Sequence, residues 1–134
     1  MKVVITGGRH YGDKPAELQH IRLKLAWLFY DLLKGDPNQL QIAHGATPTK
    51  AGVDWIADGW ARQQGIDVEM FAVDTQYDGE WPAAGPRRNQ RMLDTFQPDL
   101  VAAFPGGNGT KSCVDAASLR GIPVIKIPKP KGGV

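Results

Sequence analysis

The segment DLVAAFPGGNGT, residues 99–110, combines residue types that can hold an anion. Its first half, Leu100 to Phe104, is a short apolar run of the kind that forms a buried parallel strand. Glycines then let the backbone approach a ligand closely, and the free N–H groups at the start of a helix favour a phosphate. The alternative is a strand-to-helix turn that binds nothing. The candidate phosphate-binding residues are Pro105, Gly106, Gly107, Asn108, Gly109 and Thr110.

Polar and glycine-rich segments also follow the other predicted strands: TGGRHYGD, HGATPTKAGVD and GEWPAAGPRRN. Nucleotide pockets commonly use backbone amides and arginine for phosphate, with polar and aromatic side chains fixing the sugar and the base. We therefore predict that these segments meet at one nucleotide-binding edge. The remaining candidate ligand-binding residues are Gly7, Gly8, Arg9, His44, Gly45, Asp54, Trp81, Arg88 and Asn89.

Each of these side chains has a structural alternative. Arg88 could pair with a surface carboxylate, Asn89 could cap a helix, and Trp81 could be a packing residue. His44 at the end of a strand could be either structural or catalytic. The three histidines do not have the spacing of metal ligands, so neither a metal nor a cofactor is expected. Cys113 follows the glycine-rich turn, where a helix N-terminus can activate a thiol, but a small buried helix residue is the favoured interpretation.

Apolar strand patterns alternate with amphipathic helix patterns along the whole chain. The order predicts an α/β, Rossmann-like, three-layer α/β/α fold with a mainly parallel five-stranded sheet, which places the loops after the strands at one edge. The predicted strands are Lys2–Thr6, Leu40–His44, Asp67–Val73, Leu100–Phe104 and Pro123–Ile127. The predicted helices are Ala16–Lys34, Ala51–Gln64, Pro86–Phe96 and Thr110–Arg120.

The helix ends and connections add further expectations. Asp13 is the predicted N-cap of the first helix, with Pro15 in its first turn. The connection Asp74–Gly85 is long for a compact domain, and such loops are commonly functional. Residues 1–128 are predicted to form a single domain, and residues 129–134 a flexible C-terminal tail.

Composition narrows the class of protein. At 134 residues the chain has the length of one domain, and its net charge of +2 gives no general case for nucleic-acid binding. One cysteine excludes an internal disulfide and is typical of a reducing compartment. The sequence has no apolar run of membrane-spanning length, and its first residues form a strand pattern. We therefore expect a cytoplasmic location and no membrane partner.

Four motifs, VITGGRHYGD, HGATPTKAGVDWIADGWA, AAGPRRNQRM and FPGGNGT, resemble the YspA-like (cpYpsA-related) branch of the SLOG superfamily. The superfamily includes the Lonely Guy phosphoribohydrolases and the Smf/DprA proteins. The resemblance extends from Val3 to about Ile127. It implies a Rossmann-like domain, a nucleotide-derived ligand at the glycine-rich edge, frequent homodimers or larger homo-oligomers, and a bacterial or phage origin.

The resemblance to the Lonely Guy enzymes also bears on catalysis. Those enzymes cleave an N-glycosidic bond with an arginine, which falls on Arg88, and a glutamate, which falls on Cys113. A cysteine cannot perform the work of that carboxylate. Asp115 is two positions further on, about 200° around the helix and therefore on another face. Glu80 and Asp54 are the tentative catalytic carboxylates beside Arg88.

These observations favour a binding or sensor domain for a nucleotide or nucleotide-derived small molecule. One alternative is a nucleotide N-glycosidic hydrolase of the phosphoribohydrolase kind. A second is single-stranded DNA binding of the DprA kind through Arg87, Arg88, Arg91 and the lysine tail, although few aromatic residues accompany them. Trp27 and Tyr30 give the first helix more apolar surface than packing against one face of the sheet requires. We therefore also predict a homo-oligomer interface on this helix.

Overall fold

The computed structural model describes residues 1–32 and 34–130 of the chain. Its five strands form one sheet in the order β3-β2-β1-β4-β5, and every neighbouring pair is parallel. The strands are β1 (Lys2–Thr6), β2 (Gln41–His44), β3 (Asp67–Met70), β4 (Leu100–Ala103) and β5 (Val124–Lys126). The predicted α/β three-layer fold is therefore confirmed, and the sheet is entirely parallel.

Helices cover both faces of the sheet. The helices are α1 (Pro15–Trp27), α2 (Val53–Gln63), α3 (Thr75–Asp78), α4 (Ala84–Phe96) and α5 (Asn108–Leu119). Val3 and Ile5 of β1 pack with α1 and α2, whereas Val4 between them packs with α4 and α5. This alternation follows from the strand geometry, in which successive side chains point to opposite faces. Two apolar cores result, one on each side of the sheet.

Several predicted boundaries are wrong. The third strand ends at Met70 instead of Val73, because its pairing neighbour β2 ends opposite it at His44. The first helix stops being α-helical at Trp27 and continues as a π-helical segment, Leu28–Leu32, followed by a 3-10 helix, Pro37–Gln39. The long connection Asp74–Gly85 contains α3 and the start of α4.

Asp13 is not the N-cap of α1. Lys14 takes that position, and the carboxylate of Glu17 accepts hydrogen bonds from the backbone N–H groups of Gly12 (3.1 Å) and Lys14 (3.3 Å). An acidic side chain inside the first turn thus satisfies amides near the helix start. Asp13 lies 3.5 Å from His10 instead.

The second half of α1 and the π-helical segment that follows it carry a largely exposed apolar face. Trp27 and Tyr30 are 44% and 59% exposed, and Leu23 on the same face is 61% exposed. Residues spaced by three and four positions lie on one side of a helix.

In the described residues, no helix has both the length and the hydropathy that crossing a bilayer requires.

The sheet order reverses direction between β1 and β4. The chain moves from β1 outward through β2 to β3, then crosses to β4 on the other side of β1 and ends at β5. The helices that follow β1 and β4 therefore leave toward opposite faces and open a crevice between the two strand ends. In open parallel sheets this crevice is the usual location of a ligand.

Candidate functional site

A cavity of about 1150 Å³ occupies this crevice at the carboxyl edge of the sheet. The loops after β1, β2 and β4, the loop before α4 and the segment after β5 all contribute to its wall. Most of the predicted ligand-binding residues line it: Gly7, Gly8, Arg9, Gly45, Asp54, Trp81, Arg88, Asn89, Pro105, Gly106, Gly107, Asn108, Gly109 and Thr110. His44 and Glu80 do not.

Close backbone contacts hold the loops together beneath the cavity. The N–H of Gly8 donates to the carbonyl of Pro105 (2.9 Å), and the N–H of Val53 donates to the carbonyl of Gly8 (3.2 Å). A Cβ on Gly8 would lie 3.2 Å from Gly106 Cα, and Gly52, with φ of +83°, packs against the backbone of Gly8. Glycine at these positions lets three loops meet without side chains between them.

The glycine-rich loop forms a cradle at the N-terminus of α5. Gly107 is the N-cap, and the first N–H groups of the helix have no acceptor within it. The hydroxyl of Thr110 is buried and has no hydrogen-bond partner among the described residues. A Cβ on Gly106 would lie 2.7 Å from the N atom of Gly8, 2.9 Å from Thr110 Cβ and closer still to the Thr110 hydroxyl, so only glycine lets these groups pack this closely.

Arg88 projects from α4 into the side of the cavity. Its Nη1 donates to the carbonyls of Gly45 and Phe71 (3.1 Å to the latter), and its Nε donates to Asn89 Oδ1 (3.0 Å). Burial lowers the pKa of this guanidinium, while Asp54 and other acidic groups oppose that shift. Within the described chain, Nη2 makes no hydrogen bond, so it remains available to an anionic ligand.

Asp54 lies in the first turn of α2, where the cavity meets the β2–α2 loop. Its side chain is almost completely buried, and burial raises the pKa of the carboxyl group. His44, Arg88 and the backbone amides of Thr47 and Gly45 act in the opposite direction but do not cancel the effect. A buried carboxyl with a raised pKa inside a cavity is a candidate for acid–base chemistry or for recognising hydroxyl groups.

Two further predicted residues differ in how much of their side chain is free. Asn89 is buried, accepts a hydrogen bond from Arg88 Nε and donates from Nδ2 to the carbonyl of Gly109 (3.2 Å). It therefore links Arg88 to the glycine-rich loop. Trp81 is 53% exposed at the mouth of the cavity, with its ring edge close to Gly85. Its ring can therefore accept a planar group.

The structure places His44 behind the cavity wall, not in it. Its imidazole is completely buried and lies 2.8 Å from Asp58, and its Nδ1 accepts from the N–H of Ala46 (3.0 Å). Glu80 is exposed outside the cavity, because α3 and the loop around it are held by Asp78, whose carboxylate binds the guanidinium of Arg91 (2.9 Å). Arg91 is thereby engaged within the fold.

Cys113 is completely buried in α5, and burial raises the pKa of its thiol to about 11. The favoured interpretation of a small buried residue agrees with this placement. In the described ranges 1–32 and 34–130, no group of three or more His, Cys, Asp or Glu side chains is arranged to hold a metal ion.

Some cavity residues were not predicted from the sequence. The principal ones are Tyr11 and Glu17, at the start of α1, Thr47 and Pro48, before α2, and Lys129, after β5. Lys129 belongs to the predicted flexible tail, and residues 131–134 of that tail lie outside the described residues. The signal that could have found Lys129 is topological, since the segment after the last parallel strand ends at the same edge as the other loops.

Comparison with known proteins agrees with this architecture. The chain is similar in structure to the UDP-GlcNAc 2-epimerase from Neisseria meningitidis, solved with bound UDP-GlcNAc, with a TM-score of 0.54 and 20% sequence identity. The similarity covers 95% of this chain but spans only about a third (32%) of the epimerase chain, and it shows the Rossmann-like fold alone. No curated protein sequence matches the chain.

The sequence pattern of one family matches residues 1–77, which include β1 and its glycine-rich loop, the β2–α2 loop, Asp54 and Asp58. This match covers more than half of the chain. The chain belongs to the YspA, cpYpsA-related SLOG family.

Proposed function

We propose that this protein binds a nucleotide or nucleotide-derived small molecule in the cavity at the switch point, as a sensor or binding domain. The observation that carries the proposal is the buried Thr110 hydroxyl at the N-terminus of α5, which finds no hydrogen-bond partner in the described ranges 1–32 and 34–130. Leaving such a group unsatisfied costs about 1–3 kcal/mol. A phosphate oxygen at this position would accept from the hydroxyl and from the backbone N–H groups of the first helical turn.

The other walls of the cavity supply complementary groups. Arg88, whose Nη2 makes no hydrogen bond to the described residues, lines the same cavity and adds the positive charge that a phosphate requires. Asp54 is a better candidate than Asn89 for binding the ribose hydroxyls, because the side chain of Asn89 already bonds to Arg88 and Gly109. Trp81 offers its ring to the base at the mouth of the cavity.

The direct test is incubation of the purified protein with nucleoside monophosphates, NAD, ADP-ribose and UDP-GlcNAc. The last compound is included because the structural neighbour was solved with it. After removal of free ligand, liquid chromatography and mass spectrometry identify what remains. We expect an intact nucleotide to be retained by the wild type and lost in Gly106→Ala. Retention of none of the compounds would contradict the proposal.

One observation favours N-glycosidic hydrolysis as a second candidate. Asp54 and Arg88 both line the cavity, so a carboxyl group and the arginine of the Lonely Guy resemblance face the same ligand volume. Release of free base in the same experiment, lost in Asp54→Asn while ligand is still retained, would show this activity. Retention without base release would establish binding alone.

A further inference from the structure

The side chain of His44 uses both of its ring nitrogens inside the fold. Nδ1 accepts a hydrogen bond from the N–H of Ala46 (3.0 Å), so this nitrogen carries no proton. The proton is therefore on Nε2, which donates to Asp58 Oδ2 (2.8 Å). Asp58 is itself held by Arg62, whose Nε donates to the other carboxylate oxygen (2.7 Å). Asp58 thus selects the tautomer of His44 in the way a carboxylate orients a functional imidazole.

The residue that His44 holds adopts a conformation that L-amino acids avoid. Ala46 has φ of +49°, in the left-handed region, where a Cβ crowds the backbone. Its N–H bond to His44 Nδ1 compensates for this strain. The next residue, Thr47, is fixed separately: its carbonyl accepts from Trp55 Nε1 (2.8 Å), and its hydroxyl donates to the carbonyl of Ala51 (3.0 Å).

The strained turn determines what faces the cavity. The carbonyl of Gly45 accepts from Arg88 Nη1, and a Cβ on Gly45 would lie 2.6 Å from Arg88 Cζ. Arg88, which lines the cavity, therefore depends on the two-residue segment 45–46.

We infer that His44, oriented by Asp58, is a positioning residue that holds segment 45–46 and thereby aims Arg88 at an anionic ligand. His44 does not line the cavity, so its effect on binding must pass through that segment. The role in ligand binding rests on the proposed function. The arrangement of the imidazole and the turn can be tested without any ligand.

The first experiment records the imidazole nitrogen signals of ¹⁵N-labelled wild-type protein by long-range ¹H–¹⁵N NMR. The chain has three histidines, so His44 is assigned by comparison with His10→Gln and His20→Gln. We expect the neutral Nε2–H tautomer for His44. A proton on Nδ1 would overturn the inference, since that nitrogen could not then accept from Ala46.

The second experiment uses two substitutions that each preserve one contact. The side-chain oxygen of Asn can occupy the place of Nδ1, so His44→Asn should keep the Ala46 bond. The longer side chain of Gln can reach Asp58, so His44→Gln should keep the contact with Asp58 and lose the hydrogen bond from Ala46. We expect the Ala46 amide and Arg88 Nε–H signals to stay in place in His44→Asn and to move in His44→Gln. Leu25→Ala, a core substitution in α1, controls for general destabilisation.

The same variants are then titrated with AMP, ADP-ribose and inorganic phosphate. We expect affinity for the tightest of these to fall about tenfold in His44→Gln, as for a misdirected charged hydrogen-bond donor, and to stay near the wild-type value in His44→Asn and Leu25→Ala. Equal affinity in His44→Gln and the wild type, or unmoved Ala46 and Arg88 signals, would overturn the inference. If the wild type binds none of the three but the NMR pattern holds, the positioning of Arg88 stands and the proposed function fails.

Discussion

Gly106 and Thr110 face each other across the first turn of α5, so close that a methyl group on Gly106 would collide with the Thr110 side chain. The same methyl group would lie 2.7 Å from the N atom of Gly8. The Thr110 hydroxyl, which has no hydrogen-bond partner among the described residues, therefore packs against the bare Cα of Gly106. Because the N–H of Gly8 already donates to the carbonyl of Pro105, the hydroxyl is the one of these two groups that is left for a ligand in the described part of the chain.

Gly106→Ala should consequently abolish ligand retention. Its methyl group displaces Thr110 or Gly8, because packed interiors do not tolerate an overlap of this size. Gly59→Ala is the matched control, since a Cβ there meets no atom within 4 Å and Gly59 does not line the cavity. The measurement is retention of the nucleotide identified in the ligand panel. Equal retention of the nucleotide by the two variants would show that the cradle is not part of the binding site.

Thr110→Val should separate stability from binding. The substitution replaces a buried, unpartnered hydroxyl by a methyl group of similar volume, so we expect the free energy of unfolding to rise by about 1 kcal/mol. Ligand affinity should fall at the same time, because the hydroxyl donor is lost. Thermal unfolding with and without ligand measures both effects. A lower Tm without ligand would show that the hydroxyl has a partner in solution.

Arg88→Ala should weaken binding about 10- to 100-fold, as expected for loss of a charge-assisted hydrogen bond. Arg88→Lys should restore only part of the affinity, because an ammonium group cannot reproduce the fork of the guanidinium. Arg87→Ala is the neighbouring control: Arg87 is exposed and does not line the cavity. Titration calorimetry with the retained nucleotide distinguishes the three. A similar loss in Arg87→Ala would point to a general surface charge effect.

Acid sensitivity should depend on Asp78. Hydrogen bonds from Arg91 hold the pKa of its carboxyl group below the ordinary value of 3.8, despite the opposing effect of burial. The ionised group therefore stabilises the fold fully above that ordinary value, and this contribution is lost as the pH falls below it. Asp78→Asn should lower the free energy of unfolding at pH 7 by about 1–3 kcal/mol.

The difference between Asp78→Asn and the wild type should shrink as the pH is lowered toward 3, measured by urea unfolding across the pH series. Asp94→Asn provides the comparison, because Asp94 makes an equivalent bond to Arg120 (2.7 Å) but is largely exposed. Exposed ion pairs contribute at most about 1 kcal/mol. A difference for Asp78→Asn that is constant with pH would contradict the role of its charge.

The exposed apolar face of α1 leads us to expect that the protein self-associates. Leu23, Trp27 and Tyr30 project from one side of the first helix and its π-helical continuation. We expect a dimer or larger assembly at micromolar concentration by light scattering, and a monomer for Trp27→Glu, which places a charge in the apolar surface. Leu119→Glu is the control, since Leu119 is exposed at 87% on α5, away from this face. A monomeric wild type would end the hypothesis.

Much of the fold could be predicted from the sequence because apolar runs and glycine-rich turns are local signals. The pattern of Leu100–Thr110 identified β4, its loop and α5, and parallel topology brought that loop beside Gly7 and Gly8. Where the structure departs from the prediction, the reason lies in long-range contacts. His44 was expected to line the cavity. Its hydrogen bond to Asp58, 14 residues later, keeps the ring outside the cavity, and the sequence around His44 gives no signal of that contact.

The same limit applies to the residues that were missed or misplaced. Glu80 lies outside the cavity because an ion pair between Asp78 and Arg91 sets the path of its loop. Glu17 and Lys129 reach the cavity from the start of α1 and from the segment beyond β5, neither of which has a binding motif. Predicting them requires the sheet order, which depends on pairings between strands far apart in the sequence.

The hydrogen bond from Gly8 to Pro105 joins positions 97 residues apart in a chain of 134. Both halves of the molecule line the cavity: the first contributes Gly8 and Asp54, and the second contributes the glycine-rich loop and Arg88. Pairing β1 with β4 is a late event if folding proceeds from local contacts to distant ones. A nucleotide bound in the cavity would contact both halves and stabilise their pairing. Its release would then accompany the first separation of β1 from β4 on unfolding.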